Sequence, residues 1–181
     1  MNTENIEAYL NSFGKQVVNR AKGSLNKAKG GGTALAKSIR FEVKRDGKGF
    51  VVKFYMDEYG EYLDKGVSGN KKKQSFKNQK NQLETSPYSY TTKGPPIDIL
   101  SKWIKRKGIK PKGLGTGRSK KTGQFVSGFA YLISRKIKRD GIKSLSFFQK
   151  PLRLGMKEFG KELLGAITTD ITDSISQIQV K

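Results

Sequence analysis

The sequence has no histidine and no cysteine in its 181 residues. Without cysteine there are no disulfides, no thiolate nucleophile and no cysteine zinc site. Without histidine the usual general base near neutral pH and the commonest metal ligand are gone. Acidic residues are few, 15 Asp and Glu against 37 Lys and Arg, so the formal net charge is +22. No run approaches the roughly 18 apolar residues of a membrane span, and no membrane partner is expected. The start, MNTENIEAYL, has neither the basic nor the apolar region of a signal peptide. Hydrophobic residues make up 34% of the chain, enough for one small domain over 1–181.

The charge is not evenly spread. Between Lys65 and Lys157 there are 24 basic residues and three acids, Glu84, Asp98 and Asp140; the remainder has 13 basic and 12 acidic residues. A near-neutral frame therefore carries a strongly basic middle. Such a stripe implies a polyanion partner, most commonly nucleic acid. Its densest run, KKKQSFKNQK at 71–80, is either a grip on a polyanion or a solvated loop. Lysine is a flexible point charge, suited to phosphate without sequence preference. The candidate contacts are Lys71, Lys72, Lys73, Lys77 and Lys80, with Arg118, Lys120 and Lys121 in a second Gly/Lys stretch.

Apolar spacing predicts the elements. Ile6, Leu10, Phe13, Val17, Ala21, Leu25 and Ala28 recur every three or four residues, as in an amphipathic helix over 3–28. SIRFEVKR and GFVVKFYM then alternate apolar and polar residues around DGKG, the pattern of a β-hairpin over about 38–56. DEYGEYLDKG reads as one or two helical turns. A loop-rich basic insert follows at 67–125, with a short helix over about 96–107 whose apolar side is Ile97, Leu100, Trp103 and Ile104. Another helix is expected at about 125–139, with Val126, Phe129, Ile133 and Ile137 as its stripe. A last helix and tail occupy 152–181, with Phe159, Leu163, Ile167, Ile171 and Ile175 repeating every four residues. The fold class read from this order is α+β: a small, mostly antiparallel sheet packed by N-terminal and C-terminal helices, with a basic helical and loop insert.

No constellation of catalytic residues emerges. Glu42 and Lys44 have the spacing of one nuclease class, but the partner Asp should precede them, and Pro96-Ile97-Asp98 lies downstream. Alternating Glu and Lys in a hairpin form its wet face. Asp57, Glu58, Glu61 and Asp64 concentrate carboxylates, yet a helix sends them to different sides. GLGTGRSKKTG lacks the spacing and the preceding strand of a phosphate loop. The expectation is a protein that is not an enzyme and holds no cofactor or metal.

Three segments, in order, resemble the neck or tail-completion family of tailed bacteriophages. In GGTALAKSIRFEV the matching positions are Gly32, Leu35, Ser38 and Ile39. In YGEYLDKGVSG they are Tyr59, Tyr62, Asp64 and Gly66. In SFFQKPLRLGMKEF, Phe148 and Leu152 fit the approach to the last helix, while Pro151 is offset from the family pattern. The basic insert is far longer than is usual there. The resemblance implies a structural protein of the virion, a subunit of a homo-oligomeric ring at the head–tail junction, made in the bacterial host cytoplasm. Its partners would be portal or head-side proteins, tail-side proteins and packaged DNA, contacted without sequence preference. Tyr59, Tyr62, Phe148, Ile167, Ile171 and Ile175 are the subunit contacts this implies. The alternative from the composition is a free, sequence-independent nucleic-acid-binding protein.

Overall fold

The computed structural model describes residues 3–29, 33–47, 49–109, 116–118 and 125–176. The fold is α+β, with six helices among these residues and small two-stranded sheets. The described strands do not join into the single small sheet expected from the sequence; they form four separate pairs. Each pair is completed by its own short partner, and the helices supply the larger buried surfaces.

The chain divides into two compact units. The first comprises Met1–Asp64, Lys77–Leu83 and Leu145–Lys181; the second comprises Lys65–Phe76 and Glu84–Ser144.

In the first unit, helix α1 (Glu4–Lys29) starts with Glu4 and Glu7 in its first turn, where negative charge offsets the helix dipole. It buries Ile6, Leu10, Phe13, Val17, Val18, Ala21 and Leu25. Ala28 is exposed, so the buried stripe ends one turn earlier than its spacing implied. A short helix α2 (Ala34–Ser38) is capped by Thr33, whose hydroxyl accepts from Ala36 N at 3.2 Å. The hairpin strands β1 (Arg40–Asp46) and β2 (Gly49–Tyr55) pair in the register Phe41↔Phe54 and Val43↔Val52. A one-residue slip of either strand would turn its phenylalanine away from the core. Helix α3 (Tyr59–Lys65) follows.

The last helix, α6 (Gln149–Ser176), lies along α1. Phe13 meets Phe159 edge-on at 4.8 Å between ring centroids. Gly155 permits this approach, since a Cβ there would fall 2.9 Å from the Phe13 ring. The core joins Phe13, Val17, Leu25, Leu35, Ile39 and Phe147, with Phe41 and Phe54 packed against it. The four-residue stripe of α6 does not all reach it. At 3.6 residues per turn, steps of four drift by about 40° each, so Ile171 and Ile175 have rotated out to solvent while Asp170 is fully buried.

The second unit contains β3 (Val67–Ser68), paired with β8 (Gly141–Ile142), and the helices α4 (Ile97–Arg106) and α5 (Gly128–Asp140). Strands β6 (Thr116–Arg118) and β7 (Phe125–Ser127) pair antiparallel just before α5. On α4, Ile104 is buried but Trp103 is 38% exposed, so the tryptophan is not the core residue its spacing indicated. On α5 the residues that go inside are Ala130 and Ser134, with Ile133 and Ile137 half-buried beside them. Small side chains let neighbouring backbone come close, which the apolar stripe alone did not reveal.

The stretch 66–95 is not one long loop. Strands β4 (Ser75–Lys77) and β5 (Leu83–Thr85) pair. Phe76, within the lysine run, is only 6% exposed and anchors β4. Between the strands, Asn78 N donates to Gln82 O at 2.9 Å, and Asn81 takes a positive φ of 65°, which asparagine tolerates better than most residues.

Candidate nucleic-acid interface

Four basic residues, Arg135, Lys136, Lys138 and Arg139, gather on α5. Its sequence, GFAYLISRKIKRD, turns Ala130 and Ser134 inward and leaves Tyr131, Leu132, Arg135, Lys136 and Arg139 exposed. Lys136, Lys138 and Arg139 stand in its last turns, where cations favour the negative end of the helix dipole. The placement is thus stable for the helix itself.

The end of α5 is closed by the chain that precedes β4. Asn70 N donates to Lys138 O at 2.9 Å, Lys71 N to Arg139 O at 3.0 Å, and Gln74 Nε2 to Asp140 O at 2.7 Å. Three carbonyls left over at the helix end are thereby satisfied. Gly141 supplies the left-handed residue after the helix, at φ +78°. The other wall is the start of α4, held by Ser134 Oγ donating to Pro95 O at 2.7 Å.

Between these walls is a cleft of about 940 Å³, lined by Asn70 and Lys71, by Ile97 and by the outer face of α5. Five lining residues are cationic and none is acidic. The Arg135 guanidinium lies 5.8 Å from the Tyr131 ring centroid, a cation–π arrangement that leaves the ring near the charges. Arg139 donates to both oxygens of Asp140, at 2.7 and 2.9 Å. That bond, more than the nearby Lys136 and Lys72, holds the Asp140 carboxyl below its ordinary range. The bonded guanidinium is correspondingly pushed up. A concave, cationic site with an aromatic and two aliphatic side chains can take an anion that also has flat apolar parts.

The lysine run is divided by the fold. Lys71 lines the cleft. Lys72 and Lys73 are exposed on the segment leading to β4, while Lys77 ends β4 and Lys80 lies in the turn beyond it, both exposed. Arg118 belongs to β6, opposite Phe125; its side chain, with Lys120 and Lys121, lies outside the described residues. The cleft residues Tyr131, Arg135, Lys138 and Arg139 were missed in the sequence. Their signal was the run SRKIKRD, read there for its apolar spacing only.

The acidic candidates disperse. Glu42 forms an ion pair with Lys44 at 3.2 Å and accepts from Tyr55 Oη at 3.2 Å. The Lys44 hydrogen bond holds the Glu42 carboxyl below its usual range. Asp57, Glu58 and Glu61 are exposed, whereas Asp64 is buried and its Oδ1 accepts from Phe148 N at 2.7 Å. Among the described residues, no group of three acidic side chains is placed to hold a metal ion.

The segments singled out by resemblance meet in the first unit. Leu35, Ile39, Phe148 and Leu152 share one core. Ser38 Oγ donates to Leu35 O and accepts from Asp57 N, and Asp64 caps the turn that leads into α6. Gly32 lies outside the described residues. Of the expected subunit contacts, Tyr59, Tyr62, Ile171 and Ile175 are exposed and Ile167 is half-buried. Phe148 is different: it sits inside, edge-on to Phe54 at 5.4 Å, and its side chain is a core element rather than a surface. Among the described residues, no helix is long and apolar enough to cross a membrane. No family model, curated protein or solved structure matches the chain.

Proposed function

We propose that this chain is a structural subunit of a tailed-bacteriophage virion, one copy of an oligomeric neck or tail-completion ring between portal and tail. The observation that carries the proposal is the meeting of the three family-like segments. They are far apart in sequence, yet Leu35, Ile39, Asp64, Phe148 and Leu152 form one connected core and cap. Separate motifs that cohere in one place support a common structural role. A second support lies on α6, where Leu164, Ile171 and Ile175, seven and four residues apart and so on one side of the helix, are exposed; exposed apolar faces are typical of interaction surfaces. In this reading the protein works by assembly, without a catalytic centre, at the head–tail junction.

The test is direct. Purified protein is examined for ring formation by mass photometry and electron microscopy, and purified virions are inventoried by mass spectrometry. Rings and virion incorporation are the expected results. A monomer absent from particles overturns the reading. It would favour the alternative, a free nucleic-acid-binding protein, which the basic cleft supports.

A further inference from the structure

We propose that the cleft between Lys71, α5 and the start of α4 binds a short single-stranded segment of nucleic acid, phosphates on the cations and a base on Tyr131. The inference goes beyond the assembly reading and does not require it.

Three observations select this ligand. The first is charge: Lys71, Arg135, Lys136 and Lys138 line one concavity with no acidic side chain in its lining, while Arg139 beside them is paired with Asp140. Phosphate esters satisfy such a site without any base-specific contact. The second is the apolar part. Tyr131 is 49% exposed and Ile97 stands across the cleft. A double helix shows proteins a phosphate surface with its bases stacked inside, so it has little use for an open aromatic ring. An unpaired strand has π-faces to offer, and stacking on them tolerates any sequence. The third is shape. At about 940 Å³ the open cleft has room for a compact ligand. A duplex, broad and convex, would rest on the surface rather than enter. An acidic protein segment matches the charge but leaves the ring unused.

The backbone bonds from Asn70 and Lys71 to the end of α5 fix the main chain that carries Lys71 and Lys138 before any ligand arrives. Preorganisation of this kind lowers the ordering cost of binding.

The experiment uses the full chain and fluorescence anisotropy with a labelled oligothymidylate, in competition with duplex DNA of equal length and with polyglutamate. The single strand is expected to bind more tightly than either competitor. Arg135→Gln with Lys138→Gln should weaken it and flatten the log–log salt slope by about 0.7 for each phosphate that is no longer neutralised. Tyr131→Leu should weaken it about tenfold through loss of stacking while leaving that slope unchanged. Lys15→Gln with Lys27→Gln removes the same charge from the exposed side of α1, which carries no candidate contact, and should change neither. Thermal melts establish that each variant is folded, and the charge-matched pair keeps the comparison valid if one cleft variant is not. Equal affinity for duplex or polyglutamate, or a loss in the Lys15/Lys27 variant equal to that in the cleft variant, overturns the proposal. Strand binding without rings would refute the assembly reading and leave this one standing; rings without strand binding would do the reverse.

Discussion

Asp170, near the end of α6, accepts a hydrogen bond from Ile6 N at 3.0 Å, across 164 positions of sequence. Its other oxygen accepts from Asn5 N at 3.1 Å and Asn5 Nδ2 at 2.8 Å. A fully buried carboxylate thus caps the first turn of a helix to which it has no local connection. Burial alone would raise its pKa, but the hydrogen bonds from Ile6 and Asn5 together outweigh it, and the carboxyl sits below the ordinary aspartate value of 3.8. An ionised group favoured in the folded state stabilises the fold at pH values above its unfolded pKa.

The first prediction is a pH dependence. The Asp170 contribution is complete above about pH 4, and it is lost as the pH falls through the lower folded value. Asp170→Asn should lower the melting temperature at neutral pH and lose less of it on acidification than the native chain does. Parallel acid-limb melts of the two proteins would contradict this.

Asp64 performs the same service for the other long helix. Its Oδ1 accepts from Phe148 N at 2.7 Å and, more weakly, from Gln149 N at 3.4 Å. Asp64→Ala leaves a buried N–H without its acceptor, at a cost of about 1–3 kcal/mol. Urea denaturation measures this, and an unchanged midpoint would show that water or a neighbour replaces the carboxylate.

Gly141 holds the end of α5 against β3. Its φ is +78°, and a Cβ there would fall 2.6 Å from Gly69 N. Gly141→Ala combines backbone strain with this collision and should cost at least about 1–3 kcal/mol. Because Lys71 is positioned through the same neighbourhood, the affinity of the cleft should fall too. A stable variant with native affinity would be the contrary result.

The exposed end of α6 gives a test of assembly. Ile175 is 62% exposed and Ile171 42%. Replacing both with Asp should change the stability of the isolated chain by only about 0.5 kcal/mol per site, as for ordinary surface positions, yet prevent ring formation. Normal rings from this variant would remove these residues from the subunit interface.

The elements were largely legible because their periods are plain. Phe41 and Val43 against Val52 and Phe54 alternate cleanly, and the hairpin has that register. Five of the six described helices begin and end within a few residues of their expected bounds, while the short α2 was not foreseen. What was hidden depended on partners far away in sequence. A row of isoleucines at steps of four looks like a buried stripe, but its drift around α6 takes Ile171 and Ile175 outside, while Asp170 goes in because α1 presents N–H groups to it. Phe76 looked isolated among lysines and is an anchor, since one large side chain is enough to seat a three-residue strand. The candidate site was legible as charge and illegible as geometry. Lys71 was visible, but the cleft exists only because α5 turns Ala130 and Ser134 inward and brings Arg135 and Lys138 beside it.

The discontinuity of the first unit has a consequence for how the protein is made. Its two large segments, Met1–Asp64 and Leu145–Lys181, are separated by the whole of the second unit. On the ribosome, α1 and the hairpin emerge first, and α6 follows only after the intervening chain, a wait on the order of ten seconds at about 5–20 residues per second. Throughout that interval Phe13 and Val17 have no α6 to cover them, and the surface that later becomes the core is open to other nascent chains. The second unit, by contrast, is complete except for Lys65–Phe76 within one uninterrupted stretch, Glu84–Ser144, and has its partners at hand as it leaves the tunnel. The contiguous unit can therefore form early, while the discontinuous one must wait for its last segment.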